Sequence, residues 1–316
     1  MITTITLNPA IDRTIVVDEC TLGKVHRIKS SREDIGGKGI NVAKVINLLK
    51  GDTTAIGFLG YENKNKIEAF LHQEKIQADF IHIHDRTRVN TKVVDLKHRT
   101  TTEFNESGFR IHKDHIEQIK QKVVDYAKSS DYMIFSGSMP EGCPMGLYKE
   151  LIALVKGDTR VVLDADGALL REGVKASPFL IKPNIHELQN TFGIKVESIR
   201  DIVKGALDIV TTFRIQWVLV SMGKDGSILV SRNKILLAKP IKVDVKSSVG
   251  AGDSMLGGFI YSYSREEDPM KALKDGTVCG TLAVTKEGTQ LFNLEQVKAM
   301  QSKVIINDVS QHYLHD

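Results

Sequence analysis

The chain has little cysteine, no strong excess of either charge and no long apolar run, and each shortage narrows the reading. Three cysteines in 316 residues, Cys20, Cys143 and Cys279, are odd in number, widely spaced and without metal-ligand spacing. That argues for reduced thiols in a cytosolic compartment. A net charge of +4, spread along the chain, is too small for a nucleic-acid-binding surface, which gathers lysine and arginine on one face, and suits small anionic substrates equally well. No stretch is long and apolar enough to cross a bilayer, and the start Met1-Ile2-Thr3-Thr4-Ile5 lacks the basic flank of a signal peptide, so the expected location is cytoplasmic, with no membrane partner. There is no repeat, linker or low-complexity segment, which favours one compact domain over residues 1–316.

Two common phosphate loops are missing as well. The glycine turn at Gly250-Ala251-Gly252-Asp253-Ser254-Met255 has no third glycine of a dinucleotide fingerprint and no Lys-Ser/Thr to close a P-loop. What it does have is a tight turn followed by an apolar run, Met255, Leu256 and Phe259, with helical period. Such a turn aims backbone N–H groups at one point, at the positive end of a helix, and so makes an anion hole. A carboxylate at Asp253 would repel a resting phosphate there. It therefore reads either as a base that deprotonates a hydroxyl beside a transferring phosphoryl group or as an ordinary first-turn helix residue.

The remaining chain alternates strands and helices. Ile2–Leu7 reads as a strand stopped at Asn8-Pro9, placing Asn8 and Asp12 where ligands meet open α/β sheets; Asp12 reads as an acceptor for two sugar hydroxyls or as a turn aspartate. A second glycine-rich helix entry, Gly36-Gly37-Lys38-Gly39-Ile40-Asn41, offers amides, the Lys38 ammonium and the Asn41 amide to a phosphate or a sugar. His82 and His84 read as an exposed strand face rather than a metal site. Residues 88–95 and 101–105 read as a hairpin on which Arg88, Asn90 and Lys92 share a face, suited either to an anionic sugar or simply to water. With strands near 12–18 and 25–33 this hairpin is expected to form a lid that excludes water. Further on, a helix capped by Asp114, a strand at 132–135, the turn Ser136-Gly137-Ser138, a helix over 145–155 and a strand at 160–163 continue the rhythm. Lys182-Pro183-Asn184 then opens a helix in which Asn184 and Glu187 stand three apart; Glu187 orders a magnesium-bound water or closes a capping box. Ser221-Met222-Gly223-Lys224-Asp225-Gly226 is a glycine turn that lets backbone approach a nucleotide, and helices near Asp268, over 276–285 and over 294–302 close the chain.

Four of these segments, Gly36 to Asn41, Lys182-Pro183-Asn184-x-x-Glu187, Ser221-Met222-Gly223-x-x-Gly226 and Val249 to Ser254, resemble in order and spacing the ribokinase-like PfkB sugar kinases. Leu7-Asn8-Pro9-Ala10-x-Asp12, Gly37-Lys38-Gly39, and Thr87-Arg88-Val89-Asn90-x-Lys92 with Thr102-Glu103-Phe104-Asn105 are similar to the 1-phosphofructokinase branch. Tagatose-6-phosphate kinases share the Gly-Gly-Lys-Gly but are less similar in the hairpin. Met139 and Met222 stand where leucine is frequent, a change that keeps volume.

The resemblance implies a three-layer α/β/α domain with a small β lid. It implies ATP and Mg2+, and a dimer formed through the lid. Asp253 would be the base, with Gly250, Ala251 and Gly252 forming the anion hole. Asp12, Gly37 and Asn41 would hold sugar hydroxyls, and Lys38, Arg88, Arg27, Asn90, Lys92 and Ser138 would line the sugar-phosphate site. Lys182, Asn184, Ser221, Gly223, Gly226 and Ser248 would line the ATP site, and Glu187 would hold the metal through water. The implied reaction is phosphorylation of fructose 1-phosphate. Tagatose 6-phosphate or fructose 6-phosphate as acceptor is the nearest alternative, and a non-catalytic sugar-phosphate sensor is an alternative of another class.

Overall fold

The computed structural model describes residues 1–314 of the chain. β-branched and apolar runs that are buried on both faces form a large sheet, as expected where helices cover both sides. Its parallel part has the spatial order β5 (Gln77–Ile83), β4 (Thr53–Gly60), β1 (Ile2–Thr6), β8 (Tyr132–Ser136), β9 (Arg160–Asp164), β10 (Leu180–Ile181) and β11 (Trp217–Ser221). Antiparallel β12 (Ser227–Val230), β13 (Ile235–Ala238) and β14 (Ile306–Asp308) extend the β11 edge, bringing the sheet to ten strands. β1 and β4 are buried at every position.

Helices cover both faces. Lys113–Ala127, Leu147–Val155, Ile185–Phe192 and Ile199–Phe213 pack their apolar stripes on one side. Lys38–Leu48, Ala251–Glu266 and Pro269–Ala283 cover the other. The architecture is a three-layer α/β/α domain. Two expectations change here. The helix starting after Asp268 runs unbroken to Ala283 instead of yielding to a separate helix over 276–285. Its glycines are packing positions: Gly276 and Gly280 face the helix Ala251–Glu266, on which a Cβ at Gly258 would come 2.7 Å from Cys279 Sγ, so the absence of side chains lets the two helices close. The helix over 113–127 is capped by His112 and His115, with Asp114 in its first turn rather than at the cap.

A second sheet of four strands has the order β3 (Ser30–Gly36), β2 (Ala10–Val17), β6 (Arg88–Asp95) and β7 (Thr100–Phe104). The strand expected over 25–33 lies at 30–36, because β2 selects its partner in register from Ala10↔Gly36 to Val16↔Ser30. The small sheet joins the large one at Gly36, which enters the helix Lys38–Leu48, and at Asn8-Pro9, which leaves β1. Both joins are at the carboxyl ends of the parallel strands, where open α/β sheets bind ligands.

Candidate active site

Gly250 is the N-cap of the helix Ala251–Glu266 and takes φ +73°, a left-handed conformation natural to glycine. The amides of Gly252 and Asp253 lie in the first turn, ahead of any i−4 carbonyl of the helix, and are free to bind an anion. A Cβ at Gly252 would stand 3.0 Å from Lys182 Nζ, so glycine leaves the ammonium room beside these amides.

Asp253 is only 7 % exposed, and its Oδ2 accepts a hydrogen bond from Asn41 Nδ2 at 2.9 Å. Two glycine-rich helix entries, separated by more than two hundred residues, thus meet at one carboxylate. Burial, then the charge of Asp164, push the Asp253 pKa above the ordinary carboxylate value, against the opposing pull of Lys38, Asn41 and Lys182. A carboxylate raised in this way is a better proton acceptor than one in water.

Asp164 ends β9 and is fully buried; Lys38 Nζ and Lys182 Nζ both reach its Oδ1 at 3.3 Å. Burial alone would push its pKa up, but the ammoniums of Lys182 and Lys38 outweigh that and hold it below the usual range. Burial likewise works against the charge on Lys38, yet Asp164, Asp253, Glu187 and Asp166 keep its pKa well above normal. Lys38 is therefore charged at neutral pH, and it and Lys182 are set beside the anion hole.

The capping box at the helix Ile185–Phe192 is formed. Asn184 Oδ1 accepts from Glu187 N at 2.8 Å, and Glu187 Oε2 accepts from Asn184 N at 2.8 Å. Capping uses one carboxylate oxygen and leaves the other available, so both expected duties fit one residue. Burial raises the Glu187 pKa, opposed by Lys182, Lys38 and the Asn184 amide. Among the described residues no group of three or more His, Cys, Asp or Glu is arranged to hold a metal. The donors fit a Mg2+ carried mainly by nucleotide oxygens and water, with Glu187 and the buried, unpartnered Asp164 Oδ2 as acidic neighbours. Ser221 N donates to Pro183 O at 3.1 Å, and Asn184 and Ser221 form a parallel bridge, joining these two expected nucleotide segments. Gly226 has φ +95° and Gly223 φ +58°, with open space beside Gly223; Ser248 is exposed ahead of the anion hole.

On the lid side, Arg88 donates to Asn8 O at 3.0 Å, Pro9 O at 3.3 Å, Glu106 O at 3.3 Å and Ser138 Oγ at 3.4 Å. None of these partners is a carboxylate. Burial lowers its pKa somewhat, but an arginine stays charged, so its guanidinium is positioned without being neutralised. Asp12 Oδ1 accepts from Asn90 Nδ2 at 3.1 Å, its opposite residue across β2 and β6. Gly37, at φ +115°, packs so closely that a Cβ would stand 2.9 Å from Thr6 Cγ2. Lys92 is nearly buried and faces Glu103 Oε1 at 3.9 Å, while Arg27 is exposed in the irregular connection between β2 and β3 with no ion pair among the described residues.

Two charged groups were not singled out by the sequence reading. Asp164 carries a signal, a carboxylate closing an apolar strand at its ligand-facing end. Lys44 carries another, a lysine on the buried stripe one turn after Asn41, where its Nζ reaches Ile35 O at 3.3 Å and Thr289 O at 3.1 Å.

The chain matches the model of the pfkB family carbohydrate kinases over residues 5–296. It is 33% identical over 310 residues to the 1-phosphofructokinase of Borreliella burgdorferi, covering 98% of this chain and 99% of that one. It is 32% identical over 307 residues to the 1-phosphofructokinase of Vibrio cholerae, covering 97% and 96%. Among solved structures, phosphofructokinase-2 from Escherichia coli in complex with substrates and products superposes with a TM-score of 0.90 at 26% identity, covering 96% of this chain and 98% of that one. A deep amide-lined turn with a buried acid, in a ribokinase-like fold, matched along nearly the whole chain, leads to one assignment: the chain belongs to the pfkB family of carbohydrate kinases.

Proposed function

We propose that the chain transfers the γ-phosphoryl group of ATP to the free primary hydroxyl of fructose 1-phosphate, giving fructose 1,6-bisphosphate and ADP. The carrying observation is the Asp253 carboxylate, held by Asn41 and buried at the mouth of the anion hole. Asp253 takes the hydroxyl proton, the oxygen forms its bond to the γ-phosphorus, and the bond to the β-phosphate oxygen breaks. The amides of Gly252 and Asp253, beside Gly250 and with Lys38 and Lys182, stabilise the charge on the transferring group, whereas the amide expected from Ala251 is engaged by Ser248 O at 3.4 Å. Mg2+, when bound, screens the charge between the β and γ phosphates. Arg88, with Ser138, receives the phosphate already on the sugar, Asp12 and Asn41 accept its hydroxyls, and Asn184, Ser221, Gly223 and Gly226 line the nucleotide.

The names of the curated relatives support fructose 1-phosphate as acceptor. A structural neighbour in complex with fructose-6-phosphate keeps a 6-phosphorylated ketose as the second reading. ADP release measured with fructose 1-phosphate, fructose 6-phosphate and tagatose 6-phosphate decides: higher kcat/KM for a 6-phosphate overturns the first reading, and no transfer to any of them supports a sensor instead. The lid supports a homodimer. Leu22 and Val25 are each 97% exposed and Phe104 is 60% exposed on or beside the small sheet, an apolar surface that a second copy would cover. A monomer by sedimentation at micromolar concentration would remove that proposal.

A further inference from the structure

Lys44 is 4% exposed and forms no ion pair among the described residues. Its hydrogen-bond partners are all oxygens without formal charge, Thr289 O at 3.1 Å, Ile35 O at 3.3 Å, and Asn41 Oδ1 and Thr289 Oγ1 at 3.5 Å, and it lies 5.5 Å from the centre of the Phe70 ring. A buried ammonium without a carboxylate partner is costly, and a methionine of similar length would fill the same space. The contacts indicate what the charge does. Asn41 is gripped at both ends, its Oδ1 facing the Lys44 ammonium and its Nδ2 facing Asp253 Oδ2 at 2.9 Å. Only one orientation of the amide satisfies both. Turned over, its NH2 would meet an ammonium and its carbonyl a carboxylate, two repulsive contacts in a buried place. The same ammonium also holds Thr289, whose Cγ2 would lie 3.2 Å from a Cβ on Gly250, and the carbonyl of Ile35 at the end of β3. One side chain thus touches the support of the base, the floor of the anion hole and the root of the lid.

We infer that Lys44 is a positioning residue: it fixes the Asn41 amide with its NH2 toward Asp253, and so sets the orientation of the base. The inference deepens the kinase reading and rests on it for its kinetic consequence, but the coupling between Lys44 and Asn41 is a property of the fold.

The test is a double-mutant cycle with Lys44→Met, Asn41→Ala and both together, measured by ADP release and by calorimetric unfolding. Lys44→Met is expected to lower kcat about 10- to 100-fold, less than the loss of a direct oxyanion donor because the lysine acts through another side chain, with KM for ATP within about twofold. In the background of Asn41→Ala the same change is expected to cost less than about threefold, since the group it acts through is gone. Equal losses in both backgrounds would show a merely structural lysine and overturn the inference, as would a Lys44→Met enzyme with unchanged kcat. If the wild type transfers phosphoryl to no sugar phosphate, the kinase reading falls; unfolding then decides on the amide alone, with non-additive melting shifts sustaining the Lys44–Asn41 coupling and additive shifts ending it.

Discussion

Replacing Asp253 by asparagine separates catalysis from stability more sharply than any other single change here. Asparagine keeps the size of the side chain and an oxygen that can accept from Asn41 Nδ2, so the 2.9 Å hydrogen bond has a substitute. It cannot take a proton from a sugar hydroxyl. Loss of a general base costs about 10²- to 10⁴-fold in kcat, or about 3–5.5 kcal/mol of barrier. Stability moves the other way. Burial and Asp164 raise the Asp253 pKa in the folded state. The fold therefore disfavours the ionised form, and this cost sets in as pH rises above the unfolded value of about 4. Removing the charge should leave the variant at pH 7.5 as stable as the wild type or more so, and the advantage should shrink as pH falls toward about 4. Each kcal/mol corresponds to a rise on the order of 2 °C in a domain of this size. Coupled ADP release gives kcat, and scanning calorimetry across pH gives the second quantity. Turnover within about tenfold of wild type would refute the assignment of the base; a large fall in melting temperature at pH 7.5 would refute the account of its burial.

Asp164→Ala leaves the ammonium of Lys182 buried and that of Lys38 half-buried without their shared carboxylate, and should cost about 3–5 kcal/mol in urea unfolding, where a loss below about 1 would show that water repairs the gap. Because its folded pKa is depressed, the stability owed to Asp164 is present above the unfolded value and drains as pH falls below about 4; wild type and Asp164→Asn should converge in acid. Gly252→Ala places a methyl 3.0 Å from Lys182 Nζ and should reduce kcat about tenfold or more with the fold intact by circular dichroism; unchanged kcat would mean that the ammonium yields freely. Arg88→Ala removes a cation whose hydrogen-bond partners are all uncharged and should raise KM for the sugar phosphate about 10²-fold while leaving KM for ATP alone, whereas an equal rise in both would place Arg88 in a structural duty.

Much of the site is legible in the chain because its parts are local devices. Glycines at 37, 250 and 226 announce turns through conformations that other residues avoid, and the apolar period after them announces helices. The capping pair Asn184 and Glu187 can be read from spacing alone, and it is formed. What could not be read is how buried charges are shared. Lys38 looks like a phosphate ligand in the sequence, yet its ammonium reaches Asp164, a residue 126 positions away. Lys92 shares a strand face with Arg88 in both views, but a neighbour on β7, Glu103, stands across from it. The helix Pro269–Ala283 is continuous through Gly276 although glycine is a weak helix former on its own, because the tight contact with the helix Ala251–Glu266 supplies what local preference lacks.

By itself the sequence determined the alternation of strands and helices, the position of each glycine turn and the inventory of acids, amides and cations, since these depend on a few neighbouring residues. The tertiary structure decided which of them meet. Asp253 becomes a raised, oriented carboxylate because the fold buries it and brings Asp164 and Asn41 to it from elsewhere, and Lys44 meets the Asn41 amide that holds it. Proton affinity and orientation in a buried site are set by distances of a few ångströms between groups far apart along the chain, and those distances exist only after folding.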